Sequence, residues 1–144
     1  MSAVTAATLE GRVARLAEGL RAARPRVLGL LADNGADWLA ADLAAERAEV
    51  PLVPLPAFFT PQQLQHAVAA SGMDALFCAA PETAQALGFR PARAPEGASL
   101  PWFRRSAQAV ALAGGTAKIT FTSGTTGTPK GVHLTVAQQQ AVAL

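Results

Sequence analysis

The residues best equipped for chemistry lie together in one stretch, KITFTSGTTGTPKGV, from Lys118 to Val132. Two β-prone runs, 118–122 and 131–135, bracket a loop that carries hydroxyls at Ser123, Thr125, Thr126 and Thr128, glycines at 124 and 127, and then Pro129-Lys130-Gly131. No aliphatic side chain interrupts the loop. Glycine has no Cβ, so backbone N–H groups can turn toward an anion; hydroxyls rotate to donate, and a lysine adds a point charge. This is the chemistry of a polyphosphate clamp. A glycine- and threonine-rich hairpin turn without a ligand would account for the glycines, but not for Pro129-Lys130-Gly131 after a run of hydroxyls.

The Walker loop, G-x-x-x-x-G-K-[ST], is the first pattern to test. Aligning its lysine with Lys130 puts Gly124 in place but sets Pro129 where the second glycine belongs and Gly131 where the Mg²⁺-binding hydroxyl belongs. Without an N–H at 129 or a hydroxyl at 131, neither the cradle nor the metal site of a Walker loop can form.

The run FTSGTTGTPKGV, Phe121 to Val132, instead closely resembles the signature loop of the adenylate-forming (AMP-binding) enzymes. That superfamily includes acyl- and aryl-CoA synthetases, firefly-type luciferases and peptide-synthetase adenylation domains. Its usual form is [YF]-T-S-G-[TS]-T-G-x-P-K-G-[VA], matched here at every position. The resemblance implies an ATP-dependent ligase: a carboxylate attacks the α-phosphorus of MgATP, pyrophosphate leaves, and a thiol of CoA or of a carrier protein takes the acyl group. It implies that Thr122, Ser123, Gly124, Thr125, Thr126 and Gly127 hold the β- and γ-phosphates, and that Lys130 acts catalytically by neutralising the departing pyrophosphate. Gly127 and Gly131 are implied to let the loop open and close. ATP and Mg²⁺ are the implied cofactors, but the family's Mg²⁺-binding acid, adenine-stacking aromatic, ribose-binding aspartate and C-terminal lysine all lie far downstream of this loop. The chain is therefore expected to be the N-terminal part of a longer enzyme, inactive alone, with self-association through residues from about 106 onward. A histidine that often follows the loop in the family is replaced by Val136. The second reading is a non-catalytic α/β module that keeps a nucleotide-binding loop or serves interaction.

Composition narrows the class further. With 144 residues, 51% hydrophobic, the chain can bury a real core. A net charge of +2, ten dispersed arginines and no tyrosine argue against nucleic acid as a partner. Cys78 is the only cysteine, which rules out an internal disulfide, and with two distant histidines leaves no Cys/His metal site; the cytoplasm is the expected compartment. No signal peptide and no run of about 18 apolar residues is read from the sequence, so no membrane partner is expected.

The elements that must position the loop read as α-β-α-β-α-β-α followed by a connector. Leu9, Val13, Leu16 and Leu20 predict an amphipathic helix that stops before Pro25, and Val27 to Leu31 a strand buried on both faces. Asn34 or Asp37 is expected to cap a helix through Trp38, Leu39 and Leu43 to about Ala48. Pro51, Pro54 and Pro56 suggest an edge strand or a strand leaving its sheet. Thr60-Pro61-Gln62-Gln63 predicts a capping box for a helix burying Leu64, Ala67, Val68 and Ser71 and ending at Gly72. Asp74 to Cys78 reads as a strand, and Pro81 to Leu87 as a short helix closed by Gly88. Residues 90–115 read as a connector anchored by Trp102-Phe103, with or without a short strand, and a helix begins after Thr135. This is an α/β class fold: a doubly wound, mostly parallel sheet with flanking helices, ending in a phosphate-binding hairpin. It resembles the N-terminal part of the family's large domain, divided into an α/β subdomain, 1–105, and a connector with the signature loop, 106–144.

Among the remaining chemical side chains, Cys78 is read as a buried thiol ahead of a nucleophile, His66 as a solvated residue, and His133 as packed or exposed ahead of functional. Phe58-Phe59 and Trp38 are core or turn anchors, a substrate-facing aromatic being the alternative. Arg104-Arg105 reads as a solvated pair ahead of an anion site.

Overall fold

The computed structural model describes residues 6–123 and 128–143. Its centre is the apolar run after Pro25. There β1 (Leu28–Leu31) pairs in parallel with β2 (Leu52–Pro54) on one side and β3 (Ala75–Cys78) on the other. Beyond β2 come β6 (Lys118–Ser123), parallel, and β7 (Pro129–Leu134), antiparallel; beyond β3 come β5 (Trp102–Arg104) and β4 (Arg90–Pro91), both antiparallel to their neighbours. The sheet order is β4-β5-β3-β1-β2-β6-β7, a mixed sheet with a parallel centre.

Successive residues of a strand face opposite ways, so a sheet with hydrophobic neighbours at every position must be covered twice. Leu28, Leu30, Leu52, Phe77 and Trp102 pack under α1 (Ala6–Ala23) and α2 (Ala36–Arg47). Val53, Leu76, Cys78, Phe103, Ile119 and Phe121 pack under α3 (Pro61–Ser71) and α4 (Pro81–Ala86). Gly29 faces this second layer, where an added Cβ would lie 2.5 Å from Met73 Sδ. The doubly wound α/β architecture is the one expected from the sequence.

Local signals read from the sequence recur in α3. Thr60 Oγ1 accepts from the Gln63 N–H at 3.2 Å, Gln63 Oε1 accepts from the Thr60 N–H at 2.8 Å, and Gly72 closes the helix at φ 67°. A second box of the same kind, Thr135 with Gln138, opens α5 (Val136–Ala143) and was not anticipated. For α2 the expected cap is absent. Gly35 is the N-cap without a side-chain bond, and Asp37 instead accepts from Arg12 at 2.6 Å and from Ser99 Oγ at 3.0 Å. The Arg12 guanidinium holds the Asp37 carboxyl below the usual carboxylate range, with Ser99 helping.

Two further expectations are corrected. β2 is neither an edge nor a departing strand but lies between β1 and β6. Its prolines fit there because of side: Leu52 donates toward β6, to Ala117 O at 3.0 Å, and Leu55 toward β1, to Leu30 O at 2.9 Å. By alternation Pro54 and Pro56 lack their N–H on the β6 side, where the ladder has one register pair, Leu52 with Lys118. The connector contributes two strands, and Arg104-Arg105 is not a solvated pair. Arg104 donates to Ala23 O at 3.1 Å and lies over the Trp102 ring; Arg105 donates to Leu87 O at 3.0 Å and lies over Phe89.

Asp74, which sequence reading passed over as a strand start, fastens these strand ends. Its Oδ1 accepts from the backbone N–H groups of Arg26 at 3.0 Å and Val27 at 3.2 Å, and its Oδ2 from Arg104 at 3.5 Å, while the side chain is only 10% exposed. Cys78 is fully buried, its Sγ–H donating to Ala80 O at 3.2 Å, and burial pushes the thiol above its ordinary value. Among the described residues no helix is long and apolar enough to cross a membrane.

Replacing Asp74 with Ala leaves two backbone donors and a guanidinium without their acceptor, and is expected to cost about 2 kcal/mol in denaturant unfolding. A loss below about 0.5 kcal/mol, the usual surface value, would show that the latch is dispensable. For Cys78 the folded state favours the neutral thiol, so its contribution to stability is complete below the unfolded thiol's ordinary value and is lost as pH rises through the folded one. At about pH 8.5 an aromatic disulfide reagent should react with Cys78 only after denaturant is added; immediate reaction of the native chain would contradict its burial.

Candidate functional site

The signature stretch forms the β6–β7 hairpin. Thr122 stands opposite Lys130, Ser123 opposite Pro129 and Phe121 opposite Gly131. The second strand begins at Pro129, two residues before the sequence-based expectation, so Lys130 belongs to the strand and not to the loop. Of the site residues named from the sequence, Thr122, Ser123 and Lys130 are brought together at the hairpin's tip, whereas Gly124, Thr125, Thr126 and Gly127 lie outside the described residues.

Directly opposed residues in an antiparallel pair share a face. Ile119 and Phe121 are buried under α3, so Thr122 and Lys130 fall on the other face, and both are exposed. Phe121 is the anchor that sets this orientation. An added Cβ at Gly131 would come within 3.2 Å of the Phe121 ring and of Ile119 Cγ2, so a side chain there would oblige these groups to give by a few tenths of an ångström. His66 of α3 meets the same ring edge-on, with centroids 6.5 Å apart. Gly131 thus has a packing role not foreseen from sequence. His133 is half-buried, its Nδ1 accepting from the Ala113 N–H at 3.4 Å, which ties the connector to the hairpin.

The chain has two lysines with opposite fates. Lys118, at the base of the hairpin, pairs with Asp42 of α2 at 2.8 Å; Lys130, at its tip, has no ion pair among the described residues. One positive charge is spent on holding the hairpin to the sheet and the other faces solvent beside a threonine hydroxyl. This donor set fits the oxygens of a polyphosphate. One hydroxyl oxygen beside an ammonium is too few ligands for a divalent cation, and among the described residues no group of three or more His, Cys, Asp or Glu could hold a metal.

A cleft of about 480 Å³, missed in the sequence reading, lies at the carboxyl ends of β1, β2 and β3, lined by Leu31, Ala57, Phe59, Leu64, Ala80 and Leu87. It marks the place where the strand order reverses around β1, a usual ligand crevice of α/β sheets. None of the described hairpin residues lines it. Its sequence signal was the step from apolar strand to small residues at Leu31-Ala32 and Ala79-Ala80.

Comparison with solved structures places the fold. O-succinylbenzoate coenzyme A synthetase (MenE) from Bacillus subtilis, in complex with AMP, superposes with a TM-score of 0.70 at 24% identity, over 99% of this chain and 39% of that one. The N-terminal domain of FACL13 from Mycobacterium tuberculosis gives 0.65 at 23% identity, over 90% and 36%. Apo MatB from Rhodopseudomonas palustris gives 0.67 at 21% identity, over 92% and 29%. The chain therefore spans less than two fifths of the length of each. No curated protein sequence matches it. The family model for the AMP-binding enzyme matches residues 2–144, and the chain belongs to that family.

Proposed function

We propose that this chain supplies the ATP polyphosphate-binding loop of an adenylate-forming ligase that activates a carboxylic acid and passes the acyl group to CoA or a carrier-protein thiol. The observation that carries the reading is the opposition of Thr122 and Lys130, both exposed, across the β6–β7 hairpin that carries the intact TSGTTGTPKG signature. In this reading the hydroxyls of Thr122, Ser123, Thr125 and Thr126 and the N–H groups of Gly124 and Gly127 hold the β- and γ-phosphate oxygens. Lys130 meets the negative charge that grows on pyrophosphate as the carboxylate attacks the α-phosphorus. Donors fixed in advance toward developing charge are the main way such a site lowers a barrier.

Structures of MenE exist with ATP and a magnesium ion and with an acyl-adenylate intermediate, which supports ATP and Mg²⁺ as cofactors of the same chemistry here. Because the chain covers 39% of MenE, we assign the Mg²⁺ ligand, the adenine site and the acyl pocket to residues outside these 144. The division into an α/β part, 1–105, and a loop-bearing part, 106–144, belongs to the same proposal.

The purified chain is expected to bind magnesium pyrophosphate, and Lys130→Ala to weaken that binding about tenfold or more, the value of one lost charge-assisted contact. Calorimetric titration reads both. Undiminished binding by Lys130→Ala would remove the loop from the proposal. Carboxylate-dependent exchange of labelled pyrophosphate into ATP should be absent; its detection would make the 144 residues a complete catalyst, and a failure to bind any polyphosphate would favour a non-catalytic interaction module.

A further inference from the structure

The cleft at the carboxyl ends of β1, β2 and β3 has a charge pattern that selects among ligands. At about 480 Å³ it has the size of a small-molecule pocket, and its walls are mostly aliphatic and aromatic. Among the described residues only two charged side chains line it, and both are acids: Asp33, just past β1, and Glu82, in the first turn of α4. Neither forms an ion pair among the described residues. No lysine, arginine or histidine is among the described lining residues.

The backbone around the cleft is also poor in anion-binding groups. Two helices, α3 and α4, open onto it, and the amino end of a helix ordinarily attracts anions through its first N–H groups. Here both open with a proline, Pro61 and Pro81, which has no N–H. The amides two residues further on are taken: Gln63 N–H donates to Thr60 Oγ1 at 3.2 Å and Thr83 N–H to Ala80 O at 3.1 Å. Glu82 then sets a negative charge against the positive end of α4. That charge reaches the end of β3, where burial first and Glu82 after it push the Cys78 thiol above its ordinary value.

We propose that this cleft binds a cationic amphiphile, a small amine whose apolar body fills the pocket and whose ammonium group stays at the rim in the field of Asp33 and Glu82. The apolar lining, with Phe59, Leu64 and Leu87 in it, gains from excluding water around such a body. Both carboxylates are exposed, so the ammonium need not be buried to feel them. Phe58, between the lining residues Ala57 and Phe59, is 78% exposed and meets Phe59 edge-on with centroids 5.5 Å apart, which leaves an aromatic surface beside the pocket that the core does not use. A carboxylate of the same shape meets two like charges and no cation. The acid that the proposed ligase activates therefore has no place here, and the inference stands apart from polyphosphate binding at the signature loop.

The test is residue-resolved amide NMR of the purified chain at neutral pH, titrated with phenethylamine, phenethyl alcohol or phenylacetate at matched ionic strength. These probes share an aromatic body and differ in charge. Saturable shifts at Asp33, Leu64 and Glu82 are expected with the amine, with the carboxylate binding about tenfold more weakly and the alcohol between them. The pair Asp33→Asn and Glu82→Gln should bring amine and carboxylate to within about threefold of each other. Ala86→Phe, which fills the pocket from an exposed position on its wall, should abolish the shifts. A carboxylate or an alcohol that binds as tightly as the amine, amine shifts that persist in Ala86→Phe, or no saturable shift with the amine overturns the proposal. Lys130→Ala should leave all three titrations unchanged, so a failure of polyphosphate binding at the signature loop cannot be mistaken for a failure here.

Discussion

One register pair carries the hairpin into the sheet. Leu52 opposite Lys118, with the bond from Leu52 N–H to Ala117 O, is the ladder between β2 and β6, and there the strand that leads into the signature loop joins the parallel centre. A ladder so short cannot orient a six-residue strand by hydrogen bonding alone. Side chains complete the task on both faces: Ile119 and Phe121 in the layer under α3, and the Lys118–Asp42 pair on the α2 side. The pair is largely shielded, with exposures of 20% and 18%, so it orients more firmly than a fully solvated bridge.

The same division of labour explains why the loop's chemistry can sit at an edge. The parallel centre, buried on both faces, supplies rigidity, and its own edges are taken up by β5 and β6. β7 is left with one partner among the described residues, and Val132 on it is 47% exposed. The packing between Phe121, Gly131 and His66 decides which face of the hairpin the threonine and lysine present. A methyl group at 131 would press on that ring although it touches no ligand.

What the sequence disclosed follows the range of the forces involved. The α3 helix was legible because Thr60, Pro61, Gln63 and Gly72 fix it within a dozen residues. The signature loop was legible as a pattern of donors, and the opposition of Thr122 and Lys130 adds what only strand register can give. The roles of Arg104, Arg105 and Asp74 were hidden because their partners lie 18 to 81 residues away in the chain. The place of β2 was misread for a related reason. Proline content reports which N–H groups are missing, but not which neighbour they would have faced.

Those prolines bear on synthesis as well as on the finished sheet. β2 leaves the ribosome about 66 residues ahead of Lys118, its partner in β6. At about 5–20 residues per second that is an interval of roughly 3–13 s in which the flank of β2 is bare. Over residues 52–56 that flank offers a single donor, Leu52, because Pro54 and Pro56 have none. A nascent neighbour therefore finds carbonyl acceptors but one donor only, which leaves any wrong strand pairing along this flank half-bonded.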